Sequence, residues 1–153
     1  MKPAARADTG TVLAFDFGTR RIGVAIGNTL VRVAHPLTTI DNEANAARFA
    51  AIGSLIGEWQ PALLLVGRPV HADGSAHEMT ARTERFACQL EGRFGLPVAR
   101  VDERFTTVDA EAALVAAGVR GKQRKAQRDQ AAAQRILQSW FDDEIRNDAH
   151  GSA

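Results

Sequence analysis

Cysteine is nearly absent from this chain, and its absence excludes several classes of site. Cys88 is the single cysteine among 153 residues. A disulfide within one chain therefore cannot form, and a thiolate-rich zinc or iron–sulfur site within one chain is excluded as well. The amino terminus lacks the apolar segment of a secretory signal, and no apolar run reaches the roughly 18 residues of a membrane span. We therefore expect a soluble, cytoplasmic protein.

A strong excess of charge of one sign is lacking too. The 19 lysines and arginines nearly balance 18 acids, which leaves a net charge of +1. A nucleic-acid or membrane partner must therefore be sought in local charge. The length and the hydrophobic content of 45% fit one domain with a sizeable core. Because residues 1–10 and 147–153 carry little apolar surface, we expect flexible ends around a domain that spans 11–146.

The order of the apolar runs predicts a mixed α/β fold. The predicted strands are 12–17, 22–26, 31–37, 62–67 and 98–101. Pro36 lacks an N–H, so the third strand should lie at a sheet edge. Three strands come before any helix, and the last two each follow a helix. We therefore expect a five-stranded mixed sheet with helices on both faces.

Helical periodicity predicts the remaining elements. Asp41 is a candidate cap for a first helix whose apolar stripe runs from Phe49 to Trp59. A second helix has an apolar face that includes Phe86 and Leu90. Further helices are predicted at 108–117 and 126–145, joined by a connection over 118–128. The stripes place Trp59 and Trp140 in the core, and Cys88 on an outer face as an incidental residue.

Two acids occupy positions where apolar residues are expected. Asp16 interrupts the run VLAFDF, and a buried carboxylate without a partner costs several kcal/mol, so it requires a cation, donors or water. An Asx turn is the alternative explanation. Asp129 falls on the same helical stripe as Ala133 and Ile136, which indicates the buried face. For Asp129 the alternative is a partly buried cap near the start of the helix.

A third acid could come from the pair that follows the fifth strand. Asp102 and Glu103 are adjacent, so they point to opposite faces of a sheet and at most one shares the side of Asp16. Spacing leaves open which one. Three carboxylates brought together would repel one another unless they shared a hard cation such as Mg²⁺ or Mn²⁺. Such a site can support hydrolysis of phosphodiester bonds.

Four stretches of the chain resemble the bacterial YqgF/RuvX family. They are LAFDFGTRRIGVAIGN (13–28), VGRPVHADGS (66–75), VDERFTT (101–107) and RDQAAAQRILQSWF (128–141). The resemblance implies a ribonuclease H-like fold, a relation to Holliday junction resolvases and an activity as a nuclease for the 5′ end of pre-16S ribosomal RNA. It also implies that Asp16, Glu103 and Asp129 are the catalytic carboxylates and the ligands of Mg²⁺ or Mn²⁺. We expect them to converge at one end of the sheet.

Basic residues near these acids are candidate contacts for nucleic acid. The segment 120–128 holds five of them with no acid between, although a solvated face is the alternative. The candidates are Arg20, Arg21, Arg104, Arg120, Lys122, Arg124, Lys125 and Arg128. His71 and His77 are either general acid–base groups or exposed loop imidazoles.

The partner predicted from these features is structured RNA or branched DNA, and the sequence leaves a monomer and a weak homodimer open. Two other functions compete with a nuclease. Asp16 to Thr19 also resembles the phosphate loop of actin-like ATPases and sugar kinases, but those enzymes need a second lobe that 153 residues do not provide. A non-catalytic ribosomal-RNA-binding adaptor would keep the fold without the activity.

Overall fold

The structure is a computed structural model that describes residues 10–69, 77–103 and 121–151, without the side chains of 69, 77, 78, 103, 121–124 and 148–151. This part of the chain contains five strands and three helices. The strands are β1 (Thr11–Phe17), β2 (Arg21–Asn28), β3 (His35–Asp41), β4 (Leu63–Pro69) and β5 (Val98–Glu103). The helices are α1 (Asn45–Trp59), α2 (His77–Phe94) and α3 (Gly121–Gly151). None of these three helices is long and apolar enough to cross a membrane.

The five strands form one mixed sheet in the order β3-β2-β1-β4-β5. β1 pairs antiparallel with β2 and parallel with β4, and β4 pairs parallel with β5. The carboxyl ends of β1, β4 and β5 therefore share one edge, which we call the carboxyl edge, and the antiparallel β2 begins there. This architecture confirms the predicted mixed five-stranded sheet.

Helices cover both faces of the sheet, because successive strand residues point to opposite sides. Leu13, Phe15 and Val24 face one side, where Phe49 of α1 and Phe86 of α2 complete a buried cluster. On the other side Val12, Ala14 and Ala25 pack with Leu137 and Phe141 of α3, all of them buried. We call this second side the α3 face. The even-numbered residues of β1, which include Asp16, belong to it.

Strand β3 lies at the edge of the sheet, as Pro36 predicted, but it begins at His35 and not at residue 31. Arg32 has a φ of 59°, a left-handed conformation that interrupts an extended strand. Val31 and Val33 are 68% and 44% exposed, so the alternation read there does not face a core. Within β3, Pro36 pairs with Ala25 across a register irregularity.

Three predictions about helices were wrong. Asp41 is the last residue of β3 and does not cap α1; instead the Asn42 side chain accepts a hydrogen bond from the backbone N–H of Ala44. Trp59 is 39% exposed and not a core residue. Residues 121–128 are helical and not a connection, because α3 begins at Gly121 and continues to Gly151. Lysine, arginine, glutamine and alanine, which make up residues 122–128, all favour helix. The predicted helix at 108–117 lies outside the described residues.

Candidate active site

Asp16 and Asp129 are brought together by the glycine that lies between them. Gly23 of β2 is the cross-strand partner of Asp16, so both positions face α3. A Cβ on Gly23 would lie 1.9 Å from the backbone oxygen of Asp129 and 3.0 Å from its Cβ. Because facing Cβ positions in a sheet are about 5 Å apart, the Cβ atoms of Asp16 and Asp129 are within roughly 8.5 Å of each other. The predicted convergence of these two acids therefore has a structural basis.

Asp129 is the ninth residue of α3. It lies more than two turns inside the helix, so the alternative that it caps the helix is wrong. Its side chain is 14% exposed, and Ala132, Ala133 and Ile136 on the same stripe are buried. This confirms the buried face that periodicity predicted. Its Oδ2 accepts a hydrogen bond of 2.8 Å from Nε of Arg21, the first residue of β2. Sequence reasoning missed this ion pair, since it proposed Arg21 as a phosphate contact.

Register separates the two acids at the end of β5. Ala99 and Val101 pack against the α3 cluster, so alternation places position 103 on the α3 face and position 102 on the opposite face. Asp102 forms an ion pair with Arg68 of β4, with Nη2 and Oδ1 2.7 Å apart. Of the two acids, Glu103 is thus the one on the same face as Asp16. The choice that spacing left open is made by the strand pairing.

Positions 16, 103 and 129 lie at the carboxyl edge. For Glu103 the structure describes the backbone only. From the register and the usual strand spacing, the Cα atoms of Asp16 and Glu103 are roughly 12 Å apart. Among the described side chains, no three His, Cys, Asp or Glu residues form a metal-binding group.

A buried arginine that sequence reasoning missed supports the β1–β2 turn. Arg48 of α1 is 4% exposed, and its Nη2 donates a hydrogen bond of 2.7 Å to the carbonyl of Gly18. Its Nε donates to the carbonyl of Asn42, and its guanidinium lies 5.4 Å from the ring centre of Phe17. Burial lowers the pKa of Arg48, against the opposing effect of Glu43. The signal in the sequence was a basic residue at helical spacing from Ile52 and Leu55 on an apolar stripe.

Glutamine side chains fix α3 along the edge strand and the segment before it. Nε2 of Gln134 donates to the carbonyl of Ala34, and Oε1 of Gln138 accepts from the N–H of the same residue. Near the carboxyl edge, Gln130 donates to Thr39 Oγ1, which itself donates to the carbonyl of Ala126. These polar contacts, together with the packing at Gly23, set the position of Asp129 along the sheet.

The residues predicted to contact nucleic acid differ in their exposure and in whether the structure describes them. Arg20 is exposed in the β1–β2 turn, Lys125 is exposed on α3, and Arg128 is half-buried one turn later. The backbones of Lys122 and Arg124 lie in the first turns of α3. Outside the described residues are Arg104, Arg120, His71 and the side chain of His77.

The predictions for Cys88 and Trp140, which were given no role in the site, can also be compared with the structure. Cys88 is exposed, as predicted, but its Sγ lies 3.6 Å from Nη2 of Arg100, a basic neighbour from β5 that helical spacing could not reveal. Trp140 packs against the α3-face core, which confirms its place on the core stripe.

Comparison with known proteins relates the chain to one family over most of its length. A model of the RuvX family, described as Holliday junction resolvase, matches residues 10–143. A protein of Nitrosomonas europaea named "Putative pre-16S rRNA nuclease" is 59% identical over 136 residues, which cover 89% of this chain and 92% of that protein. A protein with the same name from Methylobacillus flagellatus is 53% identical over 142 residues, covering 93% and 97%.

Solved structures of resolvases share the fold. Thermus thermophilus RuvC in complex with a Holliday junction substrate aligns with a TM-score of 0.54 at 15% identity, covering 89% of this chain and 96% of that one. The yeast mitochondrial Holliday junction resolvase aligns with a TM-score of 0.51 at 13% identity, covering 87% and 78%. These similarities confirm the ribonuclease H-like fold that the sequence resemblance implied.

Proposed function

This chain belongs to the RuvX family, and from that premise we propose that it is a metal-dependent nuclease that processes the 5′ end of pre-16S ribosomal RNA in the cytoplasm. The observation that carries the proposal is the packing of Asp129 over Gly23, the cross-strand partner of Asp16, which brings the Cβ atoms of the two acids within roughly 8.5 Å of each other. Position 103 ends β5 at the same edge of the sheet and in line with Ala99 and Val101 on the α3 face, which supports Glu103 as the third acid. The relatives named for pre-16S rRNA favour RNA as the substrate.

The donor set fits a hard divalent cation. Asp16, Glu103 and Asp129 offer carboxylate oxygens, which Mg²⁺ and Mn²⁺ prefer, whereas a zinc site usually draws on cysteine or histidine. In our proposal these three residues hold the metal and are the catalytic residues. When bound, the metal supplies polarisation of the scissile phosphate and activation of water.

Basic residues around the carboxyl edge bind the nucleic-acid backbone in this proposal. Arg20 is exposed in the turn next to Asp16, and Lys125 is exposed one turn before Asp129. We assign the same role to the other candidates from the sequence except Arg21, whose guanidinium is paired with Asp129. These are Arg104, Arg120, Lys122, Arg124 and Arg128. Contacts to phosphate would fix the position of the strand without reading its sequence.

A second candidate substrate is branched DNA. The family description names a Holliday junction resolvase, and the proteins that share the fold include two resolvases. The same three carboxylates would serve this reaction, since both substrates are cleaved at a phosphodiester bond. A non-catalytic RNA-binding adaptor is the remaining alternative.

The test is a cleavage panel with the purified full-length chain. Pre-16S rRNA, a four-way DNA junction and matched linear duplexes are incubated with Mg²⁺, with Mn²⁺ or with EDTA. We expect cleavage of the RNA near the mature 5′ end in metal and none in EDTA. Cleavage of the junction alone would establish the second candidate, and binding of RNA without cleavage in either metal would establish the adaptor.

Asp16→Asn is the matched inactive variant, because it removes a charge but little volume. We expect it to lower the cleavage rate by at least about 100-fold, the scale of losing one essential group at a polar active site. Circular dichroism should show an unchanged fold. Cleavage by this variant at the wild-type rate, from a preparation free of other nucleases, would remove Asp16 from the site.

A further inference from the structure

Arg21 occupies a different position from the other basic residues at the carboxyl edge. Its side chain is 20% exposed, and its Nε is 2.8 Å from Oδ2 of Asp129. Since Arg21 and Gly23 are two residues apart on β2, both face α3. Its exposed neighbour Arg20 has no acidic partner within the described part of the chain. Both arginines are predicted from the sequence to contact phosphate, and the structure distinguishes them.

The position of Arg21 offsets the electrostatic repulsion between two neighbouring acids. Asp16 and Asp129 are each half-buried, and their Cβ atoms lie within roughly 8.5 Å of each other by the Gly23 contact. Two carboxylates at this range repel each other more strongly than in water, because the partly buried surroundings screen charge less. Among the described residues, Asp41 is a further acid next to Arg21, as its exposed cross-strand partner on β3. A cation beside Asp129 therefore lowers the cost of holding the two acids together.

We propose that Arg21 is the positioning residue of Asp129: it serves as a resident counter-cation that neutralises and orients this carboxylate when no metal is bound. The inference rests on the proposed function, because it takes Asp129 as a metal-binding carboxylate. Arg21 bonds Oδ2, so Oδ1 is the oxygen that it leaves for the metal. A bound divalent cation would supply the same neutralising charge, so the contribution of Arg21 to stability is greatest in the metal-free protein.

The experiment compares thermal unfolding of the full chain in EDTA and in Mn²⁺. The variants are Arg21→Gln, Arg20→Gln as the control for loss of one positive charge in the same segment, Asp129→Asn, and the double variant Arg21→Gln with Asp129→Asn. In EDTA we expect Arg21→Gln to melt about 3–6 °C below Arg20→Gln, the size of a shift for one to two kcal/mol in a domain of this length. Mn²⁺ should raise the melting temperature of Arg21→Gln by more than it raises that of the wild type.

The double variant separates charge from packing. Because Asp129→Asn removes the unneutralised carboxylate, the double variant should melt above Arg21→Gln in EDTA and should not respond to Mn²⁺. Arg21→Gln alone could fail to fold. In that case, a folded double variant still supports the counter-cation role of Arg21, and a double variant that is equally unfolded overturns it.

Two results would overturn the inference while leaving the nuclease proposal intact. One is an Arg21→Gln protein as stable in EDTA as Arg20→Gln. The other is a deficit of equal size in EDTA and in Mn²⁺, which a purely structural ion pair would give. A wild-type protein whose melting temperature does not respond to Mn²⁺ or Mg²⁺ contradicts the metal-dependent nuclease itself, and the counter-cation falls with it.

Discussion

The two adjacent acids at the end of β5 occupy positions on opposite faces of the sheet, although their side chains differ by one methylene. Asp102 lies on the α2 side of the sheet, 41% exposed, with its carboxylate paired to Arg68. Glu103 is at a register position on the α3 face, in line with Ala99 and Val101. Strand alternation puts the two positions on opposite faces, and the pairing of β5 in the sheet decides that position 103 is on the face of Asp16.

This separation predicts opposite outcomes for two conservative substitutions. Glu103→Gln should lower the rate of metal-dependent cleavage by at least about 100-fold, as expected for loss of an essential polar group. Asp102→Asn should leave cleavage within about twofold and cost less than about 1 kcal/mol of stability, because surface ion pairs contribute little. Single-turnover cleavage and denaturant unfolding measure both. Equal losses of cleavage in the two variants would contradict the assignment of Glu103.

At the scale of elements, the contact between α3 and β2 depends on the absence of a side chain at residue 23. The backbone oxygen of Asp129 occupies the space where a Cβ would stand. Gly57 in α1 is the opposite case, because a Cβ there meets nothing within 4 Å. The same substitution at the two glycines thus tests close packing at one position and helix propensity at the other.

Gly23→Ala should destabilise the protein by about 1–3 kcal/mol, the usual cost of overpacking a core. It should also lower cleavage by about 100-fold, since a shift of about 1 Å in a catalytic group has effects of that size. Gly57→Ala should stabilise the protein by about 0.5–1 kcal/mol, as in other exposed helix interiors, and leave cleavage unchanged. Urea unfolding and the cleavage assay give both values. Gly23→Ala with normal stability and activity would mean that the close approach is unnecessary.

An ion-pair cluster on the other face of the sheet joins β5 to α2. Nη2 of Arg100 lies 2.6 Å from Oε2 of Glu84, and its Nη1 lies 3.2 Å from Oε2 of Glu91. The hydrogen bond from Arg100 lowers the pKa of Glu84 below its ordinary value of 4.5, and the same bonds raise the pKa of Arg100. The cluster helps to hold the strand whose last residue is Glu103.

The lowered pKa of Glu84 sets the sign of a pH effect. A carboxylate with a depressed pKa stabilises the fold above its unfolded pKa, and this contribution is lost as pH falls through the folded pKa. Glu84→Gln should therefore lower the melting temperature at pH 7 by up to about 3 °C, the shift from a surface pair worth below about 1 kcal/mol. The difference from the wild type should shrink below pH 4.5. Glu58→Gln, exposed on α1, is the control. If the difference in melting temperature between Glu84→Gln and the wild type were constant with pH, the stabilising contact between Arg100 and Glu84 would not depend on the charge of Glu84.

At the scale of the whole molecule, a net charge of +1 conceals an uneven distribution. Lys122, Arg124 and Lys125 lie within the first turns of α3, which leads to Asp129 at the carboxyl edge. Because these turns belong to the same helix as Asp129, the backbone positions of the three basic residues are fixed relative to that acid. We therefore expect the attraction for nucleic acid to depend on this segment more than on the overall charge.

Replacing Lys122, Arg124 and Lys125 together by Gln tests this arrangement. Binding to non-cleavable RNA and to a DNA junction, measured in Ca²⁺ at several salt concentrations, should weaken for all sequences alike. The slope of log K against log salt should fall in magnitude by about 0.7–0.9 for each cation that contacts phosphate. Arg85→Gln, exposed on α2 across the sheet, should leave the slope unchanged. An unchanged slope in the triple variant would mean that these residues form only a solvated face.

The sequence by itself determined the features that depend on local periodicity. Alternation and helical spacing predicted the order of the described strands and helices, the two-sided core and the buried stripe that includes Asp129, because burial requires apolar residues at fixed intervals. The edge position of Pro36 followed from its missing N–H. Where local charge or alternation competed with this signal, as at 121–128 and 31–34, the predicted element bounds were wrong.

Only the tertiary structure decided which polar groups meet. Arg21 and Asp129 are 108 residues apart, and no spacing in the sequence relates them. The choice of Glu103 over Asp102 for the α3 face depends on the register of β5 against β4. The burial of Arg48 depends on the turn at Gly18 lying against α1. In each case the physical reason is the same: hydrogen bonds and ion pairs act over a few ångströms in space, and the packing of the sheet and helices determines which residues come within that distance.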